Sequence, residues 1–198
     1  MYSVPAKCHE AEVVIKKSRF ISRAMHVTDR NAVREFLSLC HQDFPNASHH
    51  CWAYLLGDPQ QPVNVAMSDD GEPSGTAGKP ILNVLQHKPV GDVMVVVIRY
   101  FGGIKLGAGG LVRAYSRSAQ EVMESLEVKT FQRRLEVHVR LPFAEEARLR
   151  YWVAGIDGQI SKVDYGQWVD CWICIPHDTE AALDALASAY HWQVSRAN

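Results

Sequence analysis

Residues 68–80, Ser-Asp-Asp-Gly-Glu-Pro-Ser-Gly-Thr-Ala-Gly-Lys-Pro, concentrate more reactive chemistry than any other stretch of the chain. Three carboxylates (Asp69, Asp70, Glu72), the hydroxyls of Ser68, Ser74 and Thr76, and Lys79 are spaced by glycines and prolines, with Ala77 as the one apolar residue. The stretch follows neither a helix nor a strand period, so it reads as a polar loop. Ordinary connections are shorter and less charged. Such a loop either floats in water or holds something. Carboxylates at this density can hold a divalent cation or move protons, with His49 and His50 as further donors. Adjacent acidic residues in glycine-rich loops equally well build turns. Both readings of Asp69 and Asp70 stay open.

A second candidate lies downstream. Val93–Tyr100 (Val-Met-Val-Val-Val-Ile-Arg-Tyr) is a continuous β-branched run of the kind covered on both faces. It ends in Arg99 and feeds Gly102, Gly103, Lys105, Gly109 and Gly110, then a helix from about Leu111 to Leu126. Backbone N–H groups at such a helix start can face an anion. Lys79, Arg99, Lys105 and Arg113 would supply phosphate contacts, with Arg117 on the same helix face as Arg113. Tyr100, Phe101 and Tyr115 add flat surfaces for stacking.

Three motif readings fail on inspection. Gly78-Lys79 is not a phosphate loop, because Pro73 stands where its first glycine belongs and Pro80 where its hydroxyl belongs. Gly107-Ala108-Gly109 begins a dinucleotide fingerprint, but Val112 occupies the third glycine position. Cys171 and Cys174 fall within one predicted strand, where alternation sends them to opposite faces. No nucleophile–base arrangement follows from spacing, so no catalytic residue is assigned and no cofactor is expected.

These elements sit in an ordinary globular composition: 198 residues, 47% hydrophobic, 22% charged, formal net charge -1. The charge argues against a uniformly basic nucleic-acid binder while allowing a local basic face. No signal peptide or membrane-length apolar run is visible, and five cysteines without framework spacing fit a reducing compartment. The expectation is a cytoplasmic protein with no membrane partner; the oligomeric state is left open.

The elements before the loop are strands at Glu12–Ile15 and Phe20–Val27 around Lys16-Lys17-Ser18-Arg19, a helix capped by Thr28 or Asp29, and strands at His50–Leu56 and Val63–Met67. A short helix begins near Pro80. After Thr130 the order is strand (Leu135–Leu141), helix (Phe143–Val153), strands (Gln159–Asp164, Trp168–Ile175), helix (Thr179–Tyr190) and strand (Trp192–Ser195). That is the ferredoxin-like β-α-β-β-α-β order. The predicted class is α+β with two domains, 1–130 and 131–198.

Four blocks resemble the YigZ/IMPACT family: Lys16–Phe20, His49–Cys51, Ser68–Leu82 and Arg99–Tyr115. The resemblance implies a bacterial-type member without the N-terminal RWD domain. It further implies a first domain of ribosomal protein S5 domain 2-like fold and a second resembling the last domain of elongation factor G. Eukaryotic relatives regulate translation under amino-acid starvation, so the resemblance implies a translation-linked, stress-related role. Three functions follow for testing. The leading one is a non-enzymatic regulator binding RNA or a ribosome or translation-factor partner. The others are a metal-dependent enzyme acting on a phosphorylated or nucleotide substrate through Asp69, Asp70, His49 and His50, and a protein-interaction module.

Overall fold

The computed structural model describes residues 1–196, and it is a mixed α+β protein made of two compact units, Met1–Phe131 and Gln132–Asn198. In the first unit, β2 (His9–Ile15), β3 (Ser18–His26), β6 (Val93–Tyr100), β4 (His49–Leu56) and β5 (Asn64–Ser68) form an antiparallel sheet in that order. A two-stranded ladder joins β1 (Tyr2–Pro5) to β7 (Val128–Phe131).

Strand β6 shows why the sheet is a middle layer. Val93 to Ile98 are all fully buried, and alternation divides them between two cores. Val93, Val95 and Val97 face α2 (Gly78–Gln86) and α3 (Ala108–Glu124), where Ile81, Leu85, Tyr115 and Val122 pack. Met94, Val96 and Ile98 face α1 (Arg30–Asp43) through Val33, Phe36 and Cys40. Each such aliphatic side chain contributes roughly 1.5–3 kcal/mol by leaving water.

Local chemistry fixes the ends. The Asp29 carboxylate accepts from the N–H groups of Asn31 and Ala32, which makes it the N-cap of α1. The β2–β3 hairpin turns on Lys16 and Lys17, both left-handed at φ 46° and 67°. Two-residue hairpins prefer that conformation because it matches strand twist, although Asn and Gly adopt it more readily than lysine.

In the second unit, β8 (Arg134–Leu141), α4 (Glu146–Gly155), β9 (Gln159–Tyr165), β10 (Val169–Pro176), α5 (Glu180–Tyr190) and β11 (Gln193–Arg196) follow the β-α-β-β-α-β order. Its antiparallel sheet runs β11-β8-β10-β9. Both helices pack on the face that carries Val137, Val139, Cys171 and Ile173, with Leu149 and Leu183 completing that core. Among the described residues no helix is long and apolar enough to cross a membrane.

Candidate functional site

The polar loop is folded on itself. Asp69 Oδ1 accepts from the N–H groups of Ala77 (3.0 Å) and Gly78 (2.8 Å), and Oδ2 accepts from Gly75 N–H (2.7 Å). Ala77, the residue at the start of α2, offers no side-chain cap of its own. Asp69 therefore caps that helix from the far side of the loop. Burial opposes ionisation of Asp69, but the three N–H bonds outweigh it and hold its pKa below the usual aspartate value. Asp70, left-handed at φ 42°, accepts from His50 N–H at 2.5 Å through Oδ2. Its carbonyl oxygen lies 2.7 Å from His49 Nδ1. Thr76 Oγ1 donates to the Pro73 carbonyl at 2.6 Å. Gly78 has no room for a side chain, because a Cβ would stand 2.8 Å from the Ser68 backbone.

A water-filled loop is therefore not what these residues build: Glu72, Thr76 and Ala77 are buried. Glu72 points inward and is 8% exposed. Its Oε1 accepts from Arg99 Nη1 at 2.5 Å and from Tyr115 Oη at 2.8 Å. His49 Nε2 is 4.0 Å from the same oxygen. Arg99 lies between the rings of Phe20 and Phe101, with its guanidinium 5.5 and 5.6 Å from their centroids. Cys51 Sγ is within reach of two acceptors, Tyr115 Oη at 3.3 Å and the Asp69 carbonyl at 3.0 Å. Burial pushes the Cys51 thiol up to about 12, against a smaller opposing effect of its Tyr115 hydrogen bond, so it is not a thiolate nucleophile at neutral pH. Burial first, then Cys51 and Glu72, raise the Tyr115 phenol far above its ordinary value.

These contacts correct three expectations. Arg99 is 6% exposed and already paired, so it ties the loop to β6 instead of meeting phosphate. Tyr115 is fully buried and cannot offer a stacking face, whereas Phe101 remains exposed. The carboxylates of Asp69 and Asp70 are engaged with backbone N–H groups, and His49 and His50 leave β4 on opposite faces, with the His50 ring against His41, 3.9 Å between centroids. Among the described residues no group of three or more His, Cys, Asp or Glu side chains could hold a metal ion. Their geometry serves the turn reading of Asp69 and Asp70.

The glycine-rich segment divides as well. Gly102 N–H donates to buried Ser18 Oγ at 3.1 Å, which removes it from any anion. A Cβ there would stand 2.0 Å from the Lys17 carbonyl carbon. Gly103, at φ 82°, has open space around it. Gly109 and Gly110 lie in the first turn of α3, whose cap residue Gly107 makes no side-chain hydrogen bond to it. Lys79, Lys105, Arg113 and Arg117 are exposed, and among the described residues none of them meets a carboxylate. Sequence reasoning missed Tyr115, Cys51 and Phe20 as parts of this cluster. A pairing of buried Glu72 with Arg99 was the missing signal, since it joins residues 27 apart.

Residues 16–123 match the Impact N-terminal domain. The chain belongs to the IMPACT family. An IMPACT family member from Haemophilus influenzae is 47% identical over 126 residues, which is 64% of this chain and 61% of the relative. IMPACT family member YigZ from Escherichia coli is 36% identical over 162 residues, covering 82% of this chain and 79% of that one. A solved structure described as that of a hypothetical protein superposes with a TM-score of 0.72 at 32% identity. That match covers 100% of this chain and 97% of the other. The matched IMPACT segment contains the whole Glu72–Arg99–Tyr115 cluster and the start of α3.

Proposed function

We propose that this IMPACT-family protein is a translation-linked regulator that acts by binding RNA or a ribosome-associated partner, without chemistry of its own. The observation that carries the reading is the set of unpaired cations around the glycine-rich turn. Elsewhere the exposed Arg19, Arg134, Arg140, Arg148, Arg150 and Arg196 each meet a carboxylate, whereas among the described residues Arg30, Arg34 and Arg133 do not. Lys105 and Arg113 flank the uncapped start of α3, Lys79 lies in the first turn of α2, and none is neutralised. Unpaired Lys and Arg beside free N–H groups suit a phosphate backbone. The buried Glu72–Arg99 pair ties the polar loop to the end of β6, just before the glycine-rich turn. The first unit is read as S5 domain 2-like. The second is read as ferredoxin-like, supported by its element order and its β11-β8-β10-β9 sheet.

Fluorescence anisotropy of the full chain with labelled single-stranded RNA over a range of salt tests the reading. Lys105→Ala plus Arg113→Ala should reduce the slope of log affinity against log salt by roughly one to two, at about 0.7 per lost contact. An unchanged slope rejects the surface. Arg99 is not a test of it, because its removal disturbs the buried cluster first.

A further inference from the structure

The helices of the second unit cover one face of its sheet, and among the described residues of that unit no element covers the other. On that open face β8 presents Glu136, His138 and Arg140, and β10 presents Asp170, Trp172 and Cys174. The strand register aligns Ser195, His138, Trp172 and Lys162 in a single row across all four strands.

Each member of the row is held. The His138 and Trp172 ring centroids are 4.7 Å apart, and Lys162 Nζ stands 4.4 Å from the Trp172 ring. His138 is fixed through both nitrogens, Nε2 at 2.7 Å from Asp170 Oδ1 and Nδ1 at 3.0 Å from Ser195 Oγ. Arg140 grips the two Asp170 oxygens at 2.8 and 3.1 Å, so that carboxylate is fully engaged. The ladder is irregular between Trp172 and Ile173, and Ser161 Oγ donates to the Trp172 carbonyl at 3.1 Å. A cavity of about 330 Å³ opens beside the row, with Glu136, His138, Ser161, Lys162, Trp172 and Ser195 around it.

A strand face that meets only water is ordinarily filled by charged and hydroxyl side chains. Here, beside the paired charges Arg140–Asp170 and Lys162–Asp164, two flat rings and Glu136, which meets no cation among the described residues, also line a hollow. We propose that this cavity receives one unpaired base of a single RNA strand. The inference rests on the RNA reading given above and assigns a second, separate contact to it. Its volume lies at the small end of ligand pockets, about 300–1,000 Å³, which suits one nucleotide and not a paired duplex. The base stacks against the Trp172–His138 rings, as unpaired bases do on aromatic side chains. Lys162, paired with Asp164 and held over the indole, closes one side of the hollow and is not counted as a phosphate contact. Glu136 accepts from an exocyclic amino group, which favours cytosine over uracil.

The test is anisotropy of the full chain with labelled oligo(C) and oligo(U) hexanucleotides, with a hairpin duplex and free cytidine monophosphate as competitors. Wild type should bind oligo(C) more tightly than oligo(U), and the duplex should compete poorly. Trp172→Ala should weaken binding about tenfold or more, while Trp172→Phe restores most of it. Glu136→Ala, a surface change that leaves the fold alone, should erase the preference for oligo(C). Equal binding by wild type and Trp172→Ala, with Lys105→Ala plus Arg113→Ala still weakening it, overturns the base site and spares the wider reading. No RNA binding by wild type overturns both. Displacement by cytidine monophosphate at the same concentration as the strand overturns RNA as the source of the base.

Discussion

Arg99 Nη1 and Glu72 Oε1, 2.5 Å apart and both buried, join the end of the central strand to the middle of the polar loop. The pair is more than an ion pair, since Tyr115 from α3 donates to the same carboxylate oxygen. Strand, loop and helix thus meet at one atom. Two charges taken out of water tolerate joint replacement better than the loss of one partner. Glu72→Ala should therefore destabilise the first unit by about 3–5 kcal/mol, because it leaves Arg99 buried without a counter-charge. Glu72→Leu combined with Arg99→Met should cost clearly less than the sum of the single changes. Urea unfolding of the four species as a double-mutant cycle measures this. Additive effects would show that the pair is not coupled.

Asp69 acts on the same loop through three N–H groups and not through a charge partner. Asp69→Ala should lower stability by about 1–2 kcal/mol, the range of a lost helix cap. Its pH dependence has a defined sign. The folded pKa is lowered, so the contribution is fully present above the unfolded value near 3.9 and is lost as pH falls through the folded value. Asp69→Asn should flatten that acid limb relative to wild type. Thermal melts between about pH 2 and 6 compare the two, and parallel curves would assign the acid sensitivity to other carboxylates.

Much of the frame was legible in the residues, because its signals are local. The apolar run at Val93–Ile98, a helix cap at Thr28 or Asp29 (the structure selects Asp29) and the β-α-β-β-α-β order after Thr130 each depend on neighbours in sequence. The cluster was not legible, because its logic is spatial. Arg99 reads as an exposed cation until Glu72 is placed beside it, and Tyr115 reads as a free ring until its hydroxyl finds the same oxygen. Strand β1 escaped for a similar reason: its partner is β7, at the opposite end of the unit. The corner at Lys16–Lys17 was legible from the strands on either side of it, although it lacks Gly or Asn; strand pairing holds the two lysines at positive φ angles that lysine seldom adopts.

The glycines of the turn differ in kind, and alanine substitution separates them. At Gly102 a Cβ would stand 2.0 Å from the Lys17 carbonyl carbon and 2.3 Å from Ser18 N, both backbone atoms with nowhere to move. Gly102→Ala should lower stability by at least about 3 kcal/mol, the upper range for overpacking. At Gly109 the nearest atom is the Arg113 side chain, 3.6 Å away. Gly109→Ala should leave stability unchanged or raise it by up to about 1 kcal/mol through helix propensity. Calorimetry of both variants decides the point, and similar losses at the two positions would contradict the packing described.

The thiols report on whether the loop opens. Cys8 is solvent-accessible, although partial burial raises its thiol too, whereas burial pushes Cys40 up to about 11 and Cys51 up to about 12. Alkylation needs the thiolate, so iodoacetamide near pH 8 should label Cys8 and spare Cys40 and Cys51 in the native protein. Cys51 lies against the Asp69 carbonyl and Tyr115 Oη, so it becomes accessible only when the loop leaves β4. Glu72→Gln removes the charge that anchors the loop to Arg99 and should speed Cys51 labelling severalfold. Cys171, buried in the other unit, should keep its wild-type rate. Mass spectrometry of time points resolves each cysteine. A Cys51 rate that ignores Glu72→Gln would show that the loop is held by Asp69 and Asp70 alone, with the Arg99 pair adding nothing to its closure.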